Sequence, residues 1–199
     1  MRVSGFSTVG VLAGALLVAG CATPSHDEIQ ASFAAGLKAY DAGDFRTAYK
    51  TWGEIEDYDL AAMRNVALML RKGQGVDKDP KTALRKMLQA ADMGLATAQA
   101  DAGEMLAQGE AGPPDKAAAV PLLAQAAGVG HPIAALELAE IYQAGDAGPP
   151  DIAQACRLYA VAAGAGLTEA IQHLKDLGDK CAAQPPSPAT QGPLPPVSR

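Results

Sequence analysis

The stretches AADMGLATA (residues 90–98), AAGVGHPIA (126–134) and AAGAGLTEA (162–170) decide the fold. They place Gly94, Gly130 and Gly166 at two successive intervals of 36 residues. The same offset links Ala98, Ala134 and Ala170; Gly73, Gly109 and Gly145; Asp79, Asp115 and Asp151; and Ala83, Ala119 and Ala155. Five series in phase at one period are the signature of a repeat array, in which each unit is one supersecondary element.

Each unit reads as two helices. In the third, Ala134, Leu138, Ile141 and Tyr142 recur at helical spacing and form one apolar stripe. Gly145 follows the stripe, where a helix end in left-handed geometry favours glycine. Asp151 is placed to cap the next helix, and Asp79-Pro80 has the cap-then-proline order of a helix start. The second helix carries Ala155, Leu158, Tyr159, Ala162 and Ala163 and stops at Gly166. Paired alanines let helices approach closely, and such a hairpin buries its faces only by stacking on neighbours. The recurring GEAGPPD (109–115) and GDAGPPD (145–151) read as stiff spacers between the helices.

This pattern resembles the Sel-one-like repeat, a relative of the tetratricopeptide repeat. The carrying residues are Gly73-Gln74-Gly75-Val76-Asp77-Lys78-Asp79 and Ala90-Ala91-Asp92-Met93-Gly94 in unit one; Ala98, Ala102-Gly103 and Ala126 to Gly130 in unit two; Ala134, Leu138-Ala139 and Ala162 to Gly166 in unit three. Units two and three depart from it by replacing Val76-Asp77-Lys78 with Gly-Pro-Pro. The resemblance implies an all-α, right-handed α-solenoid of stacked antiparallel hairpins. Its units run over 61–96, 97–132 and 133–167. Residues 27–60 read as a tetratricopeptide-like capping hairpin holding Phe33, Tyr40, Phe45, Tyr49, Trp52 and Tyr58, a packed end rather than a ligand box. Residues 168–181 supply a closing helix. The proline-rich tail, 182–199, lacks periodic apolar positions and is expected to be disordered.

Residues 1–20 have one charge, Arg2, then an apolar run ending in small residues, the parts of a secretory signal. The run is shorter than a lasting bilayer span of about 20 apolar residues and is broken by glycine. Leu17-Val18-Ala19-Gly20-Cys21 resembles the lipobox of bacterial lipoproteins. That resemblance implies lipid on Cys21, no other cofactor, and a brief tether over 21–26. Ala22, rather than aspartate, implies an outer-membrane address facing the periplasm.

The chain carries 16 basic and 22 acidic residues, a formal charge of −6, with no basic run. Nucleic-acid binding needs a basic face and is not expected. The histidines, His26, His131 and His173, lie in no metal-binding spacing, and no metal site is expected. The serines lack a nucleophile elbow, so no catalytic residue is named. Cys156 and Cys181 either form a bridge closing a loop of about 25 residues or stay as two thiols; spacing leaves both open.

The remaining candidate is a surface. Asp101 and Glu104 are i, i+3 neighbours, and Glu137 and Glu140 repeat them one period on. In tetratricopeptide relatives these helices line the groove, so the resemblance implies an acidic wall suited to a basic partner. A solvated face, or an acid–base pair for glycoside hydrolysis, are the alternatives, and register explains the pairing better than catalysis does. The expectation is a non-catalytic, membrane-tethered scaffold for another envelope protein or peptide. An envelope enzyme or binder for β-lactam or peptidoglycan-type ligands is the second reading, since cysteine-rich members of this family are credited with such activity. Here the cysteines are too few for a close match.

Overall fold

A computed structural model describes residues 23–182; the expected signal, Cys21 and all but the first residue of the expected tail lie outside the described residues. The described chain is helical and runs α1 (His26–Asp41), α2 (Phe45–Gly53), α3 (Leu60–Lys72), α4 (Pro80–Asp92), α5 (Ala96–Gln108), α6 (Lys116–Gly128), α7 (Pro132–Ala144), α8 (Ile152–Gly164), α9 (Thr168–Leu177) and α10 (Asp179–Ala182). Each helix packs on the next, so consecutive hairpins stack into an α-solenoid.

The three inner loops are built alike. Gly73, Gly109 and Gly145 end α3, α5 and α7 in left-handed geometry, with φ of 73°, 73° and 76°. Six residues later an aspartate N–H returns to the helix just left: Asp79 to Leu70, Asp115 to Leu106 and Asp151 to Tyr142, at 2.8 to 2.9 Å. The same aspartates cap α4, α6 and α8 by accepting N–H bonds from Thr82, Ala118 and Gln154. Every loop is thus closed by one bond back and one bond forward. In the GPPD loops a Cβ on Gly109 would meet Pro114, and one on Gly145 would meet Pro150, both at 2.6 to 2.7 Å. Neither glycine leaves room for a side chain.

The core is made of small residues at the period. Ala83, Ala119 and Ala155, Ala90, Ala126 and Ala162, and Ala98, Ala134 and Ala170 are all fully buried. Met87, Met105, Leu123, Leu138 and Tyr159 fill the larger gaps between them. Gly103 shows how close the helices come, because a Cβ there would lie 2.7 Å from the Leu123 side chain.

Both ends differ in detail from the sequence reading. The first hairpin begins inside the expected tether: Ser25 and Glu28 form a capping box, so α1 starts at His26. Within that hairpin Trp52 is buried, donates its indole N–H to the Phe33 carbonyl at 3.2 Å, and rests against Gly36. Phe33 and Tyr40 lie tilted against it, centroids 6.0 and 5.7 Å away, and Phe45 meets Tyr40 edge-on at 5.1 Å, a packed cap. At the other end the closing helix is two: α9 stops at Leu177, Gly178 turns with φ 44°, and α10 takes Ala182 from the expected tail.

Candidate functional site

The four acids singled out in the sequence lie on α5 and α7, the first helices of successive units, and the structure gives them unequal surroundings. Asp101 accepts a hydrogen bond from Arg64 Nε of α3. Glu104 accepts one from Arg71 Nη1 at 2.9 Å. Arg71 also donates through Nε, at 2.8 Å, and through Nη2 to the two oxygens of Glu110, in the loop after α5. The fork-on-fork pairing with Glu110 raises the guanidinium pKa above its ordinary value, and the same bond lowers that of Glu110. Asp101 and Glu104 are therefore held within the chain, which corrects the expectation of four carboxylates open to a partner. Charge reversal at those two positions would strand Arg64 and Arg71, so a test of the acidic face belongs at Glu137 and Glu140.

Glu137 and Glu140 lack such partners. Glu137 Oε2 is fully buried without a hydrogen bond. Burial first, then the charges of Glu104 and Glu140, push the Glu137 carboxyl up to about 7. Glu140 also rises, through burial and then the charge of Glu169, while His173 opposes the shift from 3.5 Å. Beside them a cavity of about 420 Å³ opens between the two helices, lined by Ala107, Lys116, Glu137, Glu140, Ile141 and Asp146, among others. Lys116 pairs with Asp146 at its rim.

His173 lies flat on Tyr159, centroids 4.6 Å apart, and Tyr159 donates its hydroxyl hydrogen to Gln143 Oε1 at 2.7 Å. Glu140, Glu169 and His173 bring ligand atoms within 4.8 Å of one another. Two carboxylates and one imidazole are groups a zinc ion accepts, a proximity across α7 and α9 that spacing did not suggest. Glu169 is exposed and Glu140 already faces His173. Cys156 of α8 and Cys181 of α10 are joined by a disulfide, Cα atoms 5.6 Å apart.

Sequence reasoning passed over Arg64, Arg71 and Glu110. Their only trace is positional: Arg64–Asp101 and Arg71–Glu104 are 37 and 33 residues apart, straddling the 36-residue period, so each pair crosses one repeat boundary.

The raised Glu137 carboxyl has a measurable consequence. A folded pKa of about 7 against an ordinary 4.5 means that its contribution to stability is complete below pH 4.5 and is lost as pH rises through 7. At about 1.4 kcal/mol per pH unit, halved for solvent reaching a partly open group, the loss is on the order of 2 kcal/mol. Glu137→Gln, which cannot ionise, is expected to melt roughly 6 °C above the parent at pH 8 and level with it near pH 5. Equal melting differences at both pH values would show that Glu137 is not held neutral.

A family model described as Sel1 repeat matches residues 60–95, 96–131 and 132–167, together more than half of the chain. Each match starts where α3, α5 or α7 starts, one residue before the units read from the sequence. A solved Sel1 repeat protein from Oxalobacter formigenes is 23% identical with a TM-score of 0.69, over 75% of this chain and 60% of that one. The protective antigen c5321, present in uropathogenic Escherichia coli strains and displaying an SLR fold, is 22% identical with a TM-score of 0.71. That likeness covers 76% of this chain and 34% of the antigen. The immunity protein Pa5087 from Pseudomonas aeruginosa is 22% identical with a TM-score of 0.52, over 78% and 60%. At these identities the likeness is one of fold, and the chain spans less than two thirds of the length of each. No curated protein matches the chain.

Proposed function

The chain belongs to the Sel1 repeat family, and from that premise we propose that it is a non-catalytic scaffold of the bacterial cell envelope. It is held by lipid on Cys21 to the outer membrane, faces the periplasm, and binds another envelope protein or peptide through its repeat surface. The observation that carries the binding role is the cavity between α5 and α7, where Glu137 and Glu140 stand without the arginines that hold Asp101 and Glu104. A rigid array with locked loops presents that face in one geometry, which lowers the ordering cost of binding.

The tether rests on Leu17 to Cys21. No helix among the described residues is long and apolar enough to cross a membrane. One acyl chain binds membranes marginally, and two or more hold stably. Cys21→Ser is expected to move the protein out of the membrane fraction and to abolish incorporation of labelled fatty acid; unchanged fractionation would remove the tether. In-cell crosslinking from a photoreactive residue placed at Gln108 tests the scaffold itself: one reproducible envelope partner supports it, and no crosslinked partner overturns it.

The catalytic reading has one observation in its favour, the raised Glu137 carboxyl, since a general acid needs such a shift. Burial and neighbouring like charge account for that shift without a reaction. Turnover of a chromogenic β-lactam by the purified chain would reverse the preference.

A further inference from the structure

The array contains its own precedent for what the cavity holds. At the α3–α5 step, Arg64 serves Asp101, while Arg71 serves Glu104 and Glu110. One period of 36 residues on, the three acids recur as Glu137, Glu140 and Asp146, but the arginine places are occupied by Ala100 and Ala107. The acceptor set is kept and both internal donors are gone. The cavity of about 420 Å³ lies at that place, with Ala107, Glu137, Glu140 and Asp146 among its lining residues.

We propose that this cavity is a receptor for a guanidinium group, the arginine side chain of a partner protein or peptide. The inference rests on the scaffold reading above and names the chemistry of its partner. Three observations join in it: an intrachain arginine seated on the equivalent acids, a formed cavity where that arginine is replaced by alanine, and a buried Glu137 oxygen that lacks a donor. Lys116 pairs with Asp146, and its charge also reaches Glu140. Glu140 has His173 at 3.5 Å, whereas Glu137 Oε2 has no hydrogen bond, so Glu137 is the carboxylate most in need of a donor. A guanidinium offers five donors in a rigid planar fork and serves two carboxylates at once, as Arg71 does; an ammonium is a compact point charge that keeps its water. Arginine is therefore favoured over lysine, and the uncharged isostere citrulline over neither.

The full chain, isotope-labelled in detergent micelles at pH 7.5, is titrated by NMR with the peptide acetyl-Gly-Ala-Arg-Ala-Gly-amide and with its lysine and citrulline counterparts. Expected is saturable binding of the arginine peptide, at least tenfold tighter than citrulline and several-fold tighter than lysine, with shifts centred on Ala107, Glu137 and Glu140. Ala107→Arg rebuilds the internal occupant and is expected to abolish that binding. Should Ala107→Arg fail to fold by circular dichroism, Glu137→Gln combined with Glu140→Gln is expected to weaken binding at least tenfold. Equal affinity for arginine and citrulline, or undiminished binding by the folded variants, overturns the inference. If Ala107→Arg retains the envelope partner crosslinked in cells, the guanidinium receptor fails and the scaffold stands. If no partner is crosslinked at all, the scaffold reading fails whatever the peptides do.

Discussion

Gly75→Ala is expected to cost about 3 kcal/mol and to lower the melting midpoint by close to 10 °C, although the chain carries alanine at the same register in both later units. Those alanines are Ala111 and Ala147, one and two periods on. By the repeat alone the substitution looks harmless. The structure gives two reasons that it is not. Gly75 has φ 72°, a left-handed conformation, and no residue other than glycine among those described has positive φ, so Ala111 and Ala147 follow another path. A Cβ on Gly75 would also lie 2.4 Å from the carbonyl carbon and oxygen of Phe45, where backbone, not a flexible side chain, must give way. The unit-one loop is seated on the start of α2, with Tyr40 donating to Gln74 Oε1 at 3.2 Å beside it. Gly94→Ala is the control: its φ of 92° is equally strained, but nothing lies within 4 Å, so about 1 kcal/mol is expected. Urea melts of the two variants give the comparison, and equal midpoints would show that the seat on α2 yields.

That contrast marks how far sequence reaches in this fold. Period, helix ends and caps were legible because they are local: Gly73, Gly109 and Gly145 each end a helix by their own backbone freedom, and Asp79, Asp115 and Asp151 each cap the next by bonding three residues on. Contacts between units were not. Arg71 reaches Glu104 and Glu110 over 33 and 39 residues, and nothing in an isolated arginine says which acid it will meet. The acidic row on α5 and α7 was visible as spacing, but its division into paired Asp101 and Glu104 and unpaired Glu137 and Glu140 depends on which side chain α3 or α5 sends across. Superposing the units would have exposed it, since Ala107 stands where Arg71 stands and Asp146 where Glu110 stands. Departures from a repeat, more than the repeat, carry the site.

Removing the Cys156–Cys181 bridge is expected to have an effect of similar size at the opposite end of the array. Spacing left the two cysteines free to bridge or not; in the structure their Cα atoms lie 5.6 Å apart, within the range a disulfide spans. The bridge closes a loop with a sequence separation of 25. Restricting the unfolded chain over such a loop contributes about 3.5 kcal/mol in the chain-entropy account. What it holds in place is α10, four residues that follow the break at Gly178 and have little apolar surface of their own. Cys156 itself is buried with Tyr159, Ala162, Ala170 and Leu177, so the bridge draws α10 onto the last layer of core. A closing layer matters in a solenoid because each unit is stabilised only by its neighbours. Cys156→Ser combined with Cys181→Ser should therefore lower the midpoint by about 10 °C and expose residues 178–182 to protease first, while α1 to α7 keep their amide protection at low denaturant. The oxidising compartment of the proposed envelope location would form the bridge without a catalyst in this chain. Alkylation of the native, non-reduced protein followed by mass measurement reads the bond directly: two modified cysteines among these positions, or melting unchanged by reductant, would refute it.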